Sequence, residues 1–145
     1  MTATARPTDV SDLRETVNSF LRLLAAGDAD GVAALFSEQI DWYVPGDSRL
    51  PWTGPRTRRE EVSAYFRTMW PVFVEGASES RIDEILVDGH EAALFGRFTH
   101  TVKSTGRSFT TPVAFRLTVR DGRIERLHLF EDTLAVARAM PLAAG

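Results

Sequence analysis

Cysteine is absent from the chain, which excludes disulfides, thiolate metal ligands and a cysteine nucleophile. Basic residues are in short supply: 17 Lys and Arg against 20 Asp and Glu give a net charge of -3. A nucleic-acid binder carries a basic patch or stripe. Here the cluster Arg56, Arg58 and Arg59 is followed at once by Glu60 and Glu61, as at the solvated start of a helix. No apolar run approaches the ~18 residues needed to span a bilayer, and the N-terminus lacks a signal peptide's apolar core. The expectation is a soluble cytoplasmic protein with neither nucleic-acid nor membrane partners. Histidine is scarce as well. His90, His100 and His128 are too scattered for a metal triad, so no metal is expected. A G-x-S-x-G elbow and a Gly-rich phosphate loop are also missing, so any catalysis is expected to be cofactor-free acid–base chemistry.

What is present has the size and texture of one domain: 145 residues, 43% hydrophobic and 26% charged. Small polar residues and a proline open the chain, giving a leader over 1–10, a domain over 11–140 and a tail over 141–145. Leu13, Val17, Phe20, Leu21 and Leu24 recur at helical spacing and predict a helix over roughly 12–26. Gly27 supplies its stop, and Asp28 or Asp30 can cap a short second helix carrying Val32, Leu35 and Phe36. Residues 40–44 alternate as a strand with Ile40, Trp42 and Val44 on one face. The following PGDSRLPWTGPRT, with three prolines and two glycines, reads as irregular, with Trp52 either packed over something or acting as a lid. Thr57-Arg58-Arg59-Glu60 has capping-box spacing. Val62, Tyr65, Phe66, Met69, Trp70 and Phe73 form the buried stripe of a third helix, which Pro71 should kink or end.

From Ala77 onward the period changes to two. Strands are predicted over 81–87, 91–103, 108–120 and 123–132, with Asp88-Gly89 and Asp121-Gly122 as hairpin signals and a short helical tail over 133–140. Helices followed by a run of strands indicate an α+β fold. The expected form is a curved mixed or antiparallel sheet wrapped around three helices as a cone, in the order α-α-β-α-β-β-β-β, with an internal cavity.

Four stretches, AAGDADGVAALFSEQIDWYVPG, PWTGPRTRREEVSAYF, VRDGRI and EDTLAVARAM, resemble the nuclear transport factor 2-like superfamily, in particular its SnoaL-like and ketosteroid-isomerase-like bacterial members. The resemblance covers essentially the whole chain and implies a cone fold and a homodimer. The cone hosts isomerases, cyclases, epoxide hydrolases, dehydratases and non-catalytic binding domains, so fold alone leaves the chemistry open. By resemblance, the isomerase's tyrosine falls at Phe20, its base at Val44 and its second aspartate near Phe115. All three are apolar, which argues against a steroid-isomerase mechanism on those residues. In limonene-epoxide-hydrolase-like members, acidic residues come from the parts of two strands that hold His100 and Glu131 here, with Phe98 where that pattern has an arginine.

The same two positions stand out from the residues themselves. Leu127 and Leu129 share a strand face that continues to Glu131, and the row containing Phe98 continues to His100. A carboxylate and an imidazole on inward rows make an acid–base pair, provided that they approach within about 2.6–3.2 Å directly or through one water. The alternative is a buried polar pair that closes the cone without turnover. Around them Phe20, Trp42, Val44, Trp52, Tyr65, Trp70, Phe98, Phe115 and Leu129 are candidate substrate-binding residues, suited to an apolar, even polycyclic, ligand, or are core. Three functions stay open: a SnoaL-like cyclase, isomerase or epoxide-opening hydrolase, a non-catalytic hydrophobic-ligand module, and an interaction domain whose cone is filled by its own side chains. Arg97, Thr99, Thr101, Arg116, Thr118, Arg126, His128 and Phe130 form a mixed outer face that could support a homodimer.

Overall fold

The computed structural model describes residues 7–142. Helix α1 (Pro7–Ala25) starts earlier than the apolar stripe requires, because proline at the first helical position costs no hydrogen bond. Residues 7–10 of the expected leader are therefore helical, while 1–6 and 143–145 lie outside the described residues. The stop is at Gly27, whose φ of 68° lets the chain reverse. The Asp28 N–H reaches back to the Leu23 carbonyl and the Gly27 N–H to that of Leu24, each at 3.1 Å. Asp28 then caps α2 (Ala29–Ala34), accepting from the Gly31 N–H at 2.8 Å. Asp30 instead pairs with Arg67.

Strand β1 (Phe36–Val44) is longer than the alternation in 40–44 shows. A register shift after Phe36 hides its first half from a period-two reading, after which Ile40, Trp42 and Val44 are buried together. The proline-rich stretch is only partly irregular. Its end forms β2 (Gly54–Arg58), an edge strand paired with β1 alone, where a proline is tolerated. The expected capping box does not form, because Thr57 belongs to this strand. Glu61, rather than Glu60, turns back to accept from the N–H groups of Thr57 at 3.1 Å and Arg58 at 3.0 Å. Helix α3 (Glu60–Met69) ends before Pro71 in a single 3-10 turn, Trp70–Val72.

Strands β3 (Glu79–Asp88), β4 (Glu91–Thr101), β5 (Ser108–Arg120) and β6 (Arg123–Glu131) follow, then α4 (Thr133–Ala139), capped by Asp132. The six strands form one mixed sheet in the order β2-β1-β6-β5-β4-β3, with β1 and β6 parallel and every other neighbour antiparallel. The expected element order thus lacked β2. Asp88 pairs with Glu91, so the first hairpin turns on Gly89-His90, one residue later than expected. Asp121 and Gly122 turn the last hairpin with φ of 52° and 72°, the left-handed pair such a turn requires. Among the described residues no helix is long and apolar enough to cross a membrane.

The inner face of the sheet is what the helices cover. Phe109, Thr111, Val113, Phe115, Leu117 and Val119 alternate along β5 and are all buried. On β4 the inward row runs through Ala92, Leu94, Gly96 and Phe98. A Cβ on Gly96 would overlap the Arg81 carbonyl, because β3 bulges between Ile82 and Glu84 and crosses that point. At Gly96 the backbones of β3 and β4 therefore approach too closely for a side chain. Replacing it with alanine should cost about 2 kcal/mol or more, since relief requires moving backbone. Urea denaturation of Gly96→Ala checks this, and an unchanged midpoint would show that the close approach does not depend on the glycine.

Candidate functional site

Between the helices and the inner face of the sheet lies a chamber of about 540 Å3. All eleven residues singled out from the sequence line it. Phe20 comes from α1, Trp42 and Val44 from β1, Trp52 from the loop before β2, and Tyr65 and Trp70 from α3 and its closing turn. Phe98, His100, Phe115, Leu129 and Glu131 come from the last three strands. Trp52 is 4% exposed and its ring lies 6.3 Å from that of Phe73. The Thr53 hydroxyl ties its loop to the carbonyls of Asp47 and Leu50 at 3.0 and 2.9 Å, so Trp52 is a fixed wall rather than a lid. The sequence reading missed Ser78, Glu79 and Ser80 as lining residues. The alternation that turns Ile82 inward also turns Ser80 inward, but the strand was started at residue 81 instead of Glu79.

Glu131 is largely withdrawn from water at the end of the Leu127–Leu129 row, paired across the ladder with Val113. Its carboxyl has no hydrogen-bond or ion-pair partner among the described residues. Burial pushes its pKa up to about 7, and the neighbouring Asp132 carboxylate adds to the shift. Tyr65 is within its electrostatic reach. Burial, then the charge on Glu131, holds that phenol above its ordinary range, against the lowering effect of Arg56. The Arg56 guanidinium lies 5.3 Å above the Tyr65 ring and donates to the Trp52 and Pro51 carbonyls at 3.0 and 3.2 Å.

His100 is held differently. Its ring stacks on Phe73 at 4.3 Å and 16°, with Phe98 and Phe109 at 6.0 and 5.7 Å. Nδ1 is hydrogen-bonded to the Ser78 hydroxyl at 2.8 Å, which leaves Nε2 without a protein partner. Burial lowers the pKa to about 4, so the imidazole is neutral at pH 7.

The two groups share the chamber but do not touch. No hydrogen bond or ion pair joins them, which corrects the expectation of a direct pair. The register of β5 gives the reason. His100 faces Phe109 and Glu131 faces Val113, from opposite sides of that strand. Those positions are four residues apart, or ~13 Å along the strand. Alternation told which face each residue occupies but not how far apart the ladder sets them. The indole N–H of Trp42 is a further unsatisfied group, buried without an acceptor beside Tyr65, whose ring lies 4.9 Å away.

With this geometry in hand, comparison with known proteins is informative. The SnoaL-like domain profile matches residues 17–127. The chain belongs to the SnoaL-like domain family. An NTF2-like protein of unknown function from Burkholderia pseudomallei superposes with a TM-score of 0.82 at 23% identity, over 90% of this chain and 98% of that one. A second NTF2-like protein, from Burkholderia xenovorans, gives 0.74 at 27% identity over 89% and 95%. TerC, crystallised with polyporic acid, gives 0.78 at 18% identity over 88% and 97%. A search of curated proteins by sequence finds no match.

The outer face of this SnoaL-like sheet carries His128, as expected from its alternation with Glu131. His128 Nε2 meets Asp41 Oδ1 at 2.8 Å and Arg126 meets the other oxygen at 3.0 Å, and His128 first, then Arg126, holds Asp41 below its ordinary pKa. Tyr43 and Phe130 beside them are 47% and 56% exposed.

The opposed shifts of the two chamber residues yield a stability signature. Glu131 rises from 4.5 to about 7, so its contribution is lost as pH rises toward 7. His100 falls from 6.5 to about 4, so its contribution grows as pH rises toward 6.5. Between pH 4.5 and 6.5 each state holds one proton on this pair, and the two effects cancel. Glu131→Gln should make unfolding free energy climb by about 1.4 kcal/mol per pH unit across that window, and His100→Asn should make it fall by about the same. Urea denaturation at a series of pH values checks both slopes. Parallel wild-type and variant curves would mean that neither group is desolvated.

Proposed function

We propose that this SnoaL-like chain is a small-molecule enzyme of the isomerase or cyclase type, acting by acid–base chemistry on an apolar metabolite held in the chamber. Glu131 is its general base and His100 a neutral hydrogen-bond donor to an oxygen of the substrate. The observation that carries this reading is the Glu131 carboxyl, which lines an apolar chamber with no hydrogen-bond or ion-pair partner among the described residues. Leaving such a group unpaired is costly, so it favours a role toward a ligand. A carboxylate with a pKa near the working pH is well matched to proton abstraction. A buried neutral imidazole polarises a carbonyl without giving up its proton.

The separation of the two groups narrows the chemistry further. Opening an epoxide with water places acid and base around two adjoining carbons. Abstracting a proton from a carbon conjugated to a remote carbonyl places them apart, as here. A chamber of about 540 Å3 accepts a ligand of two or three rings. The same apolar wall supports a second reading, in which the chamber only stores a hydrophobic ligand; recovery of that ligand unchanged after long incubation would favour it. The filled-cone reading is disfavoured by the size of the chamber. On the outer face Phe95, Ala114 and Phe130 align across three strands. This row supports a homodimer through that face.

Glu131→Gln should lower kcat/KM by about 10²–10⁴ on a substrate found by screening conjugated ketones, and His100→Ala should lower it by a smaller factor. In the wild type, kcat/KM should rise with pH and level off above about 7, as Glu131 ionises. Full activity in both variants, with folding intact, would remove these residues from the mechanism.

A further inference from the structure

We infer that the chamber is built for a hydrophobic ligand that carries a positive charge, with an alkylammonium group seated against Glu131. This deepens the reading of the chamber as a small-molecule site and rests on it. Three independent features of the wall point the same way.

The first is its charge. Among the residues that line the chamber there are two carboxyl groups, Glu79 and Glu131, and no lysine or arginine. An anionic ligand would meet only repulsion. A neutral one would leave Glu131 without a counter-charge once it ionises, and a buried carboxylate is tolerated chiefly when it is paired.

The second is that the groups around Glu131 do not neutralise it. From β4 comes His100, which burial keeps neutral, and from β3 comes Glu79. On α3 Tyr65 feels the charge of Glu131 and is kept protonated, and Asp132, next along the chain, adds negative charge. Arg56 of β2 does not line the chamber. It lies over the Tyr65 ring, bound to the Trp52 and Pro51 carbonyls, and forms no ion pair with Glu131. Val136, the chamber residue on α4, is uncharged.

The third is the aromatic surface. Trp42, Trp52, Tyr65, Trp70 and Phe73 line the same space. Aromatic faces attract an ammonium and accept the alkyl groups around it, and the attraction grows where water is excluded. A carboxylate at the end of an aromatic chamber is the combination that recognises an alkylammonium and not a metal ion, for which the described residues offer no cluster of ligands. A cation at this place would also hold Glu131 ionised, in the state that proton abstraction needs.

The test uses a permanent cation, benzyltrimethylammonium, and its uncharged isostere neopentylbenzene, each titrated into the full chain and followed by amide chemical shifts. The cation should bind at least about tenfold more tightly than the isostere at pH 8. Its affinity should increase about tenfold per pH unit below 7 and level off above, with one proton released, while the isostere shows no pH dependence. Glu131→Gln, verified as folded by its amide spectrum, should abolish both the preference and the pH dependence yet still bind the isostere. If the isostere shifts the chamber residues and binds as well as the cation, or if Glu131→Gln keeps the preference, the cation inference is wrong and the chamber reading stands. If neither probe shifts the chamber residues, both are overturned.

Discussion

A side chain on a strand can point to only one of two faces, and in this molecule one of those faces is covered by the helices. That constraint governs the rest. The inward rows of β4, β5 and β6 are covered because they are mostly apolar, from Leu94 and Phe98 through Phe115 and Leu117 to Leu127 and Leu129. Between that face and the helices the rows leave a chamber instead of meeting the helices everywhere. His100 and Glu131 inherit their positions from those rows. They are withdrawn from water by their neighbours, and their opposed pKa shifts have the same origin in burial.

The chemistry open to the chamber follows from what surrounds each group. His100 is clamped by Phe73 and by a hydroxyl that can donate or accept, so its free nitrogen has a fixed direction and no charge. Glu131 has no clamp and no partner. A carboxyl in that state costs stability unless it is protonated or meets a ligand, which is the stability-for-function exchange expected of a binding site. The two groups line one chamber without touching. An acid–base mechanism on this SnoaL-like frame therefore need not use the isomerase positions, which here are Phe20, Val44 and Phe115 and serve as wall.

Much of this was legible in the chain. Period-two alternation in Ile40, Trp42 and Val44, and along 108–120, gave the inner face, and helical spacing from Leu13 to Leu24 gave the helix that covers it. The same spacings gave the order of elements apart from β2, and the resemblance to SnoaL-like proteins agrees with the family match. What escaped has physical reasons. Strand β2 was concealed by Pro55, which an edge strand accepts and a central one would not. The first half of β1 was concealed by a register shift, and Glu61 rather than Glu60 closes the start of α3 because Thr57 is held in the sheet. Above all, alternation reports a face and not a distance. His100 and Glu131 share a face, but the ladder places them opposite Phe109 and Val113, and only the register shows that they are apart.

Central to the chamber is Glu131, a desolvated carboxyl with no hydrogen-bond or ion-pair partner among the described residues. The most direct measurement is its own titration, followed by the 13C shift of the side-chain carboxyl from pH 3 to 9, with Glu131→Gln used to assign the signal. The account requires a midpoint near 7 in the free protein. A midpoint at the ordinary 4.5 would show the carboxyl to be hydrated at an open rim, and the base we propose would be lost.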